Sequence, residues 1–231
     1  MKARRIFGWF KRRLLGRTIR PRTVFTGAFR NLKFLLDPNH QSQLLLGLHE
    51  RETHRWLPKL VEGCDSAIDI GTAEGEYAIY FLKRCNLQKV FTFDPDDASR
   101  ERFQQNLALN ELTDDGQLFQ SPLAVRQTPD TGSTTLDELL PELPLPCCIK
   151  IDVDGGEAEI LMGAKRLLQM HHCRWLIETH SIELERDCVR ILEMAGYRTT
   201  IIKNAWWRIF VPEQRPIPHN RWLVAFPERT A

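Results

Sequence analysis

The chain has 231 residues, of which 42% are hydrophobic and 27% are charged, and its formal net charge is +2. This length is sufficient for one α/β domain, and no apolar run approaches the roughly 20 residues that a membrane-spanning helix needs. Eleven of the 32 Lys and Arg residues, and none of the Asp and Glu residues, fall within residues 1–36.

This charge distribution predicts a basic N-terminal arm over residues 1–40 and one folded domain over residues 41–231. Two interpretations of the arm stay open: a solvated tail, which the sequence favours slightly, and a helix that lies on an anionic membrane surface. The second interpretation rests on apolar residues among the cations, which are Phe7, Trp9, Phe10 and Leu14. The basic run at 11–13 argues against a secretory signal, whereas an organellar transit peptide stays open.

Six cysteines occur without a Cys-x-x-Cys pair and without the His spacing of zinc sites. Most lie in apolar contexts, where a thiol behaves as a small hydrophobe. We therefore expect neither a disulfide nor a cysteine metal site. A reduced compartment follows, so the prediction is a cytoplasmic protein, peripheral at the membrane if the arm binds there.

Beyond residue 40, helices and strands are predicted in alternation. A helix over 41–62 comes first. The predicted strands then cover 66–70, 89–94, 117–121, 147–152, 174–180, 197–203, 206–211 and 221–226. The predicted helices between them cover 75–85, 97–110, 136–140, 157–170 and 182–195. This order predicts an α/β fold with a doubly wound, mostly parallel, seven-stranded sheet and an antiparallel closing strand.

The most informative stretch is 67–75, Ala-Ile-Asp-Ile-Gly-Thr-Ala-Glu-Gly. An apolar strand ends at a glycine turn that leads into a helix, which is typical of a nucleotide-cofactor site. A dinucleotide pyrophosphate requires G-x-G-x-x-G, whereas this spacing is G-x-x-x-G and suits a cofactor without phosphates. S-adenosylmethionine (SAM) is the cofactor that we expect. The residues expected to bind it here are Gly71, Thr72, Glu74 and Gly75, together with Asp69, which either orients the turn or reaches the ammonium group of the cofactor through water.

A carboxylate follows the second strand of the domain at a suitable distance from this turn. Asp94 lies about twenty residues after Gly71, where it can accept both ribose hydroxyl protons. The alternative is that Asp94 simply caps the helix that begins near Asp97. Ser121, at the end of the third strand, is a weaker candidate for the adenine rim.

Two later strands carry the candidate catalytic residues. Lys150 and Asp152 share one face of the strand at 147–152, and Glu178 and His180 lie near the end of the next strand. Asp152, Glu178 and His180 are candidates to take a proton from an acceptor hydroxyl, and Lys150 could stabilise an oxyanion. A divalent metal that bridges Asp152 and residues of the strand at 174–180 is conceivable, but no clear Asp-Asn pair occurs there, so we favour a metal-free site.

The sequence resembles the FkbM family of SAM-dependent methyltransferases from about Glu50 onward. The residues that carry the resemblance are Ala67-Ile-Asp-Ile-Gly through Gly75, Phe91-Thr-Phe-Asp-Pro-Asp with Asn106 and Asn110, Thr135-Leu-Asp-Glu-Leu, Ile149-Lys-Ile-Asp-Val-Asp-Gly-Gly-Glu through Ala164, and Leu176-Ile-Glu-Thr-His with Gly196-Tyr197. The chain departs from the family pattern in the residues between Gly71 and Gly75, in having Asp rather than Glu at 94 and 154, and in a shorter segment between Ala124 and Thr134.

The resemblance implies a class I methyltransferase, most simply one that methylates a hydroxyl of a sugar, glycolipid or secondary metabolite. The expected partner is thus a small-molecule or glycan acceptor. One alternative is a methyltransferase of nucleic acid or protein docked by the arm, although no base-reading motif points to nucleic acid. The other is a SAM-fold module that binds without catalysis.

Overall fold

The computed structural model describes residues 18–37, 40–112, 116–205, 208 and 219–228. Eleven strands occur among them: β1 Arg20–Thr23, β2 Lys33–Leu36, β3 Ser66–Ile70, β4 Lys89–Phe93, β5 Leu118–Ser121, β6 Ala124–Val125, β7 Ser133–Thr134, β8 Cys147–Ile151, β9 Cys173–Thr179, β10 Tyr197–Ile202 and β11 Arg221–Pro227. The α-helices of the same residues are α1 Ser42–Leu46, α2 Leu57–Val61, α3 Glu76–Arg84, α4 Asp97–Leu109, α5 Glu157–Met162, α6 Lys165–Gln169 and α7 Ile182–Met194, and Leu136–Glu142 is a 3-10 helix.

A seven-stranded sheet organises the described residues, with the strand order β10-β11-β9-β8-β3-β4-β5. Strand β3 is parallel to both β4 and β8, so the chain winds outward in two directions from this point. Ligands of open α/β sheets bind where the strand order reverses, at the carboxyl ends of the strands. The predicted doubly wound sheet is confirmed, and it locates the candidate site above β3, β4 and β8.

The closing strand β11 is antiparallel to both of its neighbours, β9 and β10. This arrangement confirms the antiparallel strand that the sequence predicted. The reason for that prediction was that the sequence pattern gives no helix between the last predicted strands. The additional strand predicted over 206–211 falls almost wholly outside the described residues.

Two hydrophobic clusters cover the two faces of the sheet, as the alternation of side chains along each strand requires. In β8, Cys148 faces the cluster that contains α3 and α4, whereas Ile149 and Ile151 face the cluster that contains α5, α6 and α7. Lys150 therefore lies on the α3 side of the sheet, the side that Asp69 of β3 also faces. A buried lysine in this position needs charged partners.

Residues 20–36, within the predicted arm, form a hairpin of β1 and β2 that packs onto the domain. Phe29, Phe34 and Leu36 in this hairpin are fully buried. The backbone amides of Lys33 and Leu35 donate to the side chains of Asn110 and Asn106, at 3.0 and 2.8 Å. The sequence pattern did not predict this hairpin, and residues 1–17 of the arm lie outside the described residues.

Two predicted helices are each divided in the structure. The helix expected over 157–170 is observed as two helices, α5 and α6. The carboxylate of Asp137 accepts hydrogen bonds from the amides of Arg166 and Leu167, and so caps the start of the second helix. The helix expected over 41–62 is α1 and α2. Pro58 lies in the first turn of α2, a position that suits proline far better than the interior of a longer helix.

Among the described residues, no helix has the length and apolar character needed to cross a membrane.

Candidate active site

The turn after β3 depends on glycine at both of its predicted positions. Gly71 and Gly75 have φ angles of +74° and +90°, in the left-handed region that favours glycine. A Cβ at Gly71 would lie 1.8 Å from the carbonyl oxygen of Asp152, and one at Gly75 would lie 2.1 Å from the ring of Phe103. Both glycines are therefore required by the protein's own packing, before any ligand is considered.

Asp94 holds this turn from the end of β4. One carboxylate oxygen accepts a hydrogen bond from the Ala73 amide at 2.7 Å, and the other accepts from the Asp96 amide at 2.9 Å. The alternative role, capping α4, belongs to Asp96, whose side chain accepts from the Ser99 amide at 2.7 Å. Asp94 therefore lies at the sheet edge beside the glycine turn, as its spacing predicted.

A cavity of about 290 Å³ opens at this edge, close to the lower end of the range for small-molecule pockets, about 300–1,000 Å³. Ser121 is buried, and its hydroxyl oxygen accepts from the amide of Leu123 at 3.2 Å, so Ser121 holds a loop that walls the cavity. The cavity walls include Gly71, Phe93, Pro95, Leu123, Val125 and Asp154.

Thr72 and Glu74, which the sequence grouped with the cofactor contacts, have their side chains bonded to the protein. The Thr72 hydroxyl donates to the carbonyl oxygen of Asp69 at 3.0 Å. The Glu74 carboxylate accepts from the side-chain amide of Gln41. In this arrangement both side chains stabilise the turn rather than line the cavity.

A buried ion pair lies directly beneath the turn. The Lys150 ammonium is 3.0 Å from Oδ1 of Asp69, and it also donates to the carbonyl oxygen of Gly71 at 2.7 Å. Burial alone would lower the pKa of Lys150, but the carboxylates of Asp69 and Asp152 outweigh this effect and raise the pKa. Asp69 also accepts from the Ala78 amide at 3.1 Å. The pair therefore joins β3, β8 and the start of α3.

The remaining predicted residues meet at the ends of β8 and β9. Asp152, Glu178 and His180 present side-chain donor atoms that all lie within 4.8 Å of one another. Nε2 of His180 is 3.7 Å from Asp152 Oδ1 and 3.6 Å from Glu178 Oε2. Asp152 is the most exposed of the three, with 19% of its side chain accessible. These three side chains are a group that could handle a proton or hold a metal ion.

Sequence reasoning missed Glu157 as a site residue. Its fully buried carboxylate is hydrogen-bonded to Nδ1 of His180. Burial would lower the pKa of His180, but the bond to Glu157 and the nearby carboxylates outweigh burial and raise the pKa. The available signal was an acid at the first position of a helix directly after Gly155-Gly156, within the most specific motif of the family resemblance.

Asn106 was also missed as a contributor to the site. It is fully buried, and its amide donates to the carbonyl oxygen of Glu74 at 2.8 Å while its oxygen accepts from Leu35. One side chain on α4 thus joins the N-terminal hairpin to the glycine turn.

Comparison with known proteins relates this chain to methyltransferases. The family model described as the methyltransferase FkbM domain matches residues 116–199. Hexuronic acid methyltransferase AglP of Haloferax volcanii is 28% identical over 176 residues, which cover 67% of this chain and 72% of that protein. These matches confirm the resemblance to FkbM methyltransferases and support methyltransferase activity.

Solved structures show the same fold. The methyltransferase FkbM of Methylobacillus flagellatus KT superposes with a TM-score of 0.56 at 16% identity, covering 70% of this chain and 43% of that one. The tRNA (uracil-54, C5)-methyltransferase of Pyrococcus abyssi, in complex with S-adenosyl-L-homocysteine, gives 0.55 at 16% identity and covers 91% and 44%. The chain spans less than half the length of these two structures. At this identity they show the class I Rossmann-like architecture alone.

Proposed function

We propose that this protein transfers a methyl group from SAM to a hydroxyl of a sugar, glycolipid or secondary metabolite. One observation carries the proposal: the turn held by Asp94 and the group around Asp152 lie on neighbouring strands at the same edge of the sheet. The two halves are in direct contact, because the Asp152 amide donates to the carbonyl oxygen of Ile70 at 3.0 Å.

The residues at the edge fit SAM. An ionised carboxylate has about four acceptor positions, of which Asp94 uses two for backbone amides, so two are available for ribose hydroxyls. The adjacent cavity has apolar walls at Phe93, Pro95 and Leu123, which suit an adenine ring.

SAM, when bound, supplies a methyl group on a positively charged sulfur. The task of this chain is then to hold the acceptor hydroxyl in line and to receive its proton. Asp152 is the accessible member of the group that would face the hydroxyl. Lys150, by contrast, is buried and committed to Asp69 and Gly71, so we assign it a positioning role in the turn rather than contact with an oxyanion.

A hexuronic acid is the acceptor class to test first. AglP acts on hexuronic acid by its name, and the region it matches covers two thirds of this chain. The proposal extends this substrate class to the present protein. A hexuronic acid differs from a neutral hexose in that its ring carries a carboxylate as well as hydroxyls.

The test is a methyl-transfer assay with isotopically labelled SAM. The acceptor panel pairs hexuronic acid glycans with the corresponding neutral hexose glycans, and adds glycolipids and RNA. We expect label on the acidic sugars, located on oxygen by NMR, and a large loss of turnover in Asp152→Asn with little change in SAM affinity. The surface variant Asp187→Asn is the matched control.

Two results would contradict the proposal. Label that appears on RNA alone would favour a nucleic-acid methyltransferase. SAM binding by calorimetry without transfer to any acceptor would favour a binding module.

A further inference from the structure

We infer that Asp152, Glu178 and His180 form a binding site for one hard divalent cation, Mg²⁺ or Mn²⁺, at the carboxyl ends of β8 and β9. Carboxylates are the ligands that Mg²⁺ and Mn²⁺ prefer, and here two of them lie with one imidazole, their donor atoms within 4.8 Å of one another. This inference replaces the metal-free site favoured by the sequence.

The environment of the His180 imidazole points to a bound ligand. Its side chain is 4% exposed, and Nε2 has no hydrogen-bond partner among the residues that the structure describes. Nδ1 is bonded to the buried carboxylate of Glu157, which favours a proton on Nδ1, so that the neutral form of the ring offers the Nε2 lone pair to a cation. Metal-binding histidines are held in this way, with the second nitrogen bonded to a carboxylate.

The charges around Nε2 also favour a cation. Asp152, Asp154 and Glu178 each place a carboxylate oxygen 3.6–3.7 Å from this nitrogen, too far for a good hydrogen bond. The ammonium of Lys150 lies 3.7 Å from Asp152 but is closer to Asp69 and Gly71. Three carboxylates therefore surround one imidazole nitrogen, and a divalent ion would offset their mutual repulsion.

The spacing is close to that of a metal site. Ligands at adjacent corners of an octahedron with bonds of about 2.1 Å are about 3 Å apart. Contraction of the observed 3.6–3.7 Å separations by about 0.6 Å would produce this geometry. Asp154 is 89% exposed, so it can approach the ion or stay in solvent.

The role of the ion in methyl transfer rests on the proposed function. An ion at this place would hold the acceptor oxygen that is to be methylated and would lower the pKa of that hydroxyl. An acceptor with a second oxygen ligand nearby, such as the carboxylate of a uronic acid, would chelate the ion.

The test is a titration of the full chain with MnCl₂ in the absence of SAM and acceptor. The EPR signal of free Mn²⁺ measures how much of the ion is not bound. We expect one saturable ion per chain. Asp152→Asn and His180→Ala should each weaken binding at least about tenfold, whereas the surface variant Asp187→Asn should bind as wild type. Circular dichroism checks that each variant is folded, and the nearly isosteric Asp152→Asn keeps the test valid if His180→Ala does not fold.

A spectroscopic readout separates ligation from a structural role. Bound Mn²⁺ should show ¹⁴N coupling in electron spin echo spectra, lost in His180→Ala and retained in Asp152→Asn. Glu157 is a positioning residue, so Glu157→Gln should weaken binding roughly tenfold while the nitrogen coupling persists.

Either of two results would overturn the site: no saturable Mn²⁺ binding by wild type, or wild-type affinity in both ligand variants. His180 would then serve only as an imidazolium counter-ion of the carboxylates. Because this titration involves no methyl transfer, failure of the proposed function leaves its outcome unchanged.

Discussion

The ammonium of Lys150 and the carbonyl oxygen of Gly71 are joined by a 2.7 Å hydrogen bond, although 79 residues separate them in the chain. The same ammonium is paired with Asp69, whose carboxylate is fully buried. The conformation of the glycine turn therefore depends on a side chain from the strand that also leads to Asp152.

Lys150→Met should lower the free energy of unfolding by about 3–5 kcal/mol, because it leaves the Asp69 carboxylate buried without its counter-ion. Urea denaturation measures this loss. The double variant Lys150→Met with Asp69→Asn should recover part of the stability, since the uncompensated charge is then gone. A double variant no more stable than Lys150→Met would contradict the ion-pair explanation.

Asp94→Ala should reduce the increase in Tm that SAM produces, because the variant loses both the support of the Ala73 amide and the expected ribose contact. Thermal denaturation with and without SAM measures the shift. Asp94→Glu restores a carboxylate and should retain most of the shift. Equal shifts in wild type and Asp94→Ala would remove Asp94 from the cofactor site.

Gly71→Ala should destabilise the protein more than Gly63→Ala. Both glycines have positive φ, +74° and +66°, so both alanine variants carry a strain of about 1–2 kcal/mol. A Cβ at Gly63 meets nothing within 4 Å, whereas one at Gly71 lies 1.8 Å from the Asp152 carbonyl oxygen. Chemical denaturation of both variants isolates the steric cost. Similar losses would show that the turn can move away from β8.

His54 should contribute stability that is lost as the pH falls below about 6.5. Burial, reinforced by Arg51, lowers the pKa of His54 from 6.5 to about 4. In this interval the unfolded chain binds a proton that the folded chain does not, so stability is present above pH 6.5 and is lost as the pH falls toward 4. The loss amounts to at most about 3 kcal/mol.

Urea denaturation at several pH values between 4 and 7 tests this dependence. His54→Asn can keep an acceptor for the Ala28 amide, and its free energy of unfolding should rise relative to that of wild type as the pH falls from 7 to 4. His40→Asn, at a residue whose side chain is 80% exposed, is the control. A profile in His54→Asn as steep as that of wild type would assign the pH dependence to other groups.

The elements that the sequence predicted best are those in which local pattern and tertiary position agree. Strand β3 occupies the predicted 66–70 because its apolar run is buried on both faces and ends at Gly71. Asp94 could be placed because the end of a parallel strand lies at a known edge of the sheet. For the same reason, the sequence predicted that the carboxyl ends of β8 and β9 lie at this edge. That prediction grouped Asp152 with His180.

The rest depends on contacts that no local pattern encodes. The hairpin of β1 and β2 is held by Asn106 and Asn110, which lie more than 70 residues away in the chain. In composition its short strands resemble the basic segment before them, so the sequence pattern did not distinguish the two. The directions of the Thr72 and Glu74 side chains depend on hydrogen bonds made within and beyond the turn. The contact between Glu157 and His180 joins a helix start to a strand end 23 residues later.

The close approach of Gly71 to the Asp152 carbonyl oxygen has a consequence for how acceptor preference can diverge. With no room even for a methyl group between them, the glycine turn and the end of β8 form one closely packed floor beneath the proposed site. New specificity must then arise in the segments above this floor, such as the short stretch from Ala124 to Thr134, where residues can be exchanged without displacing the reacting groups.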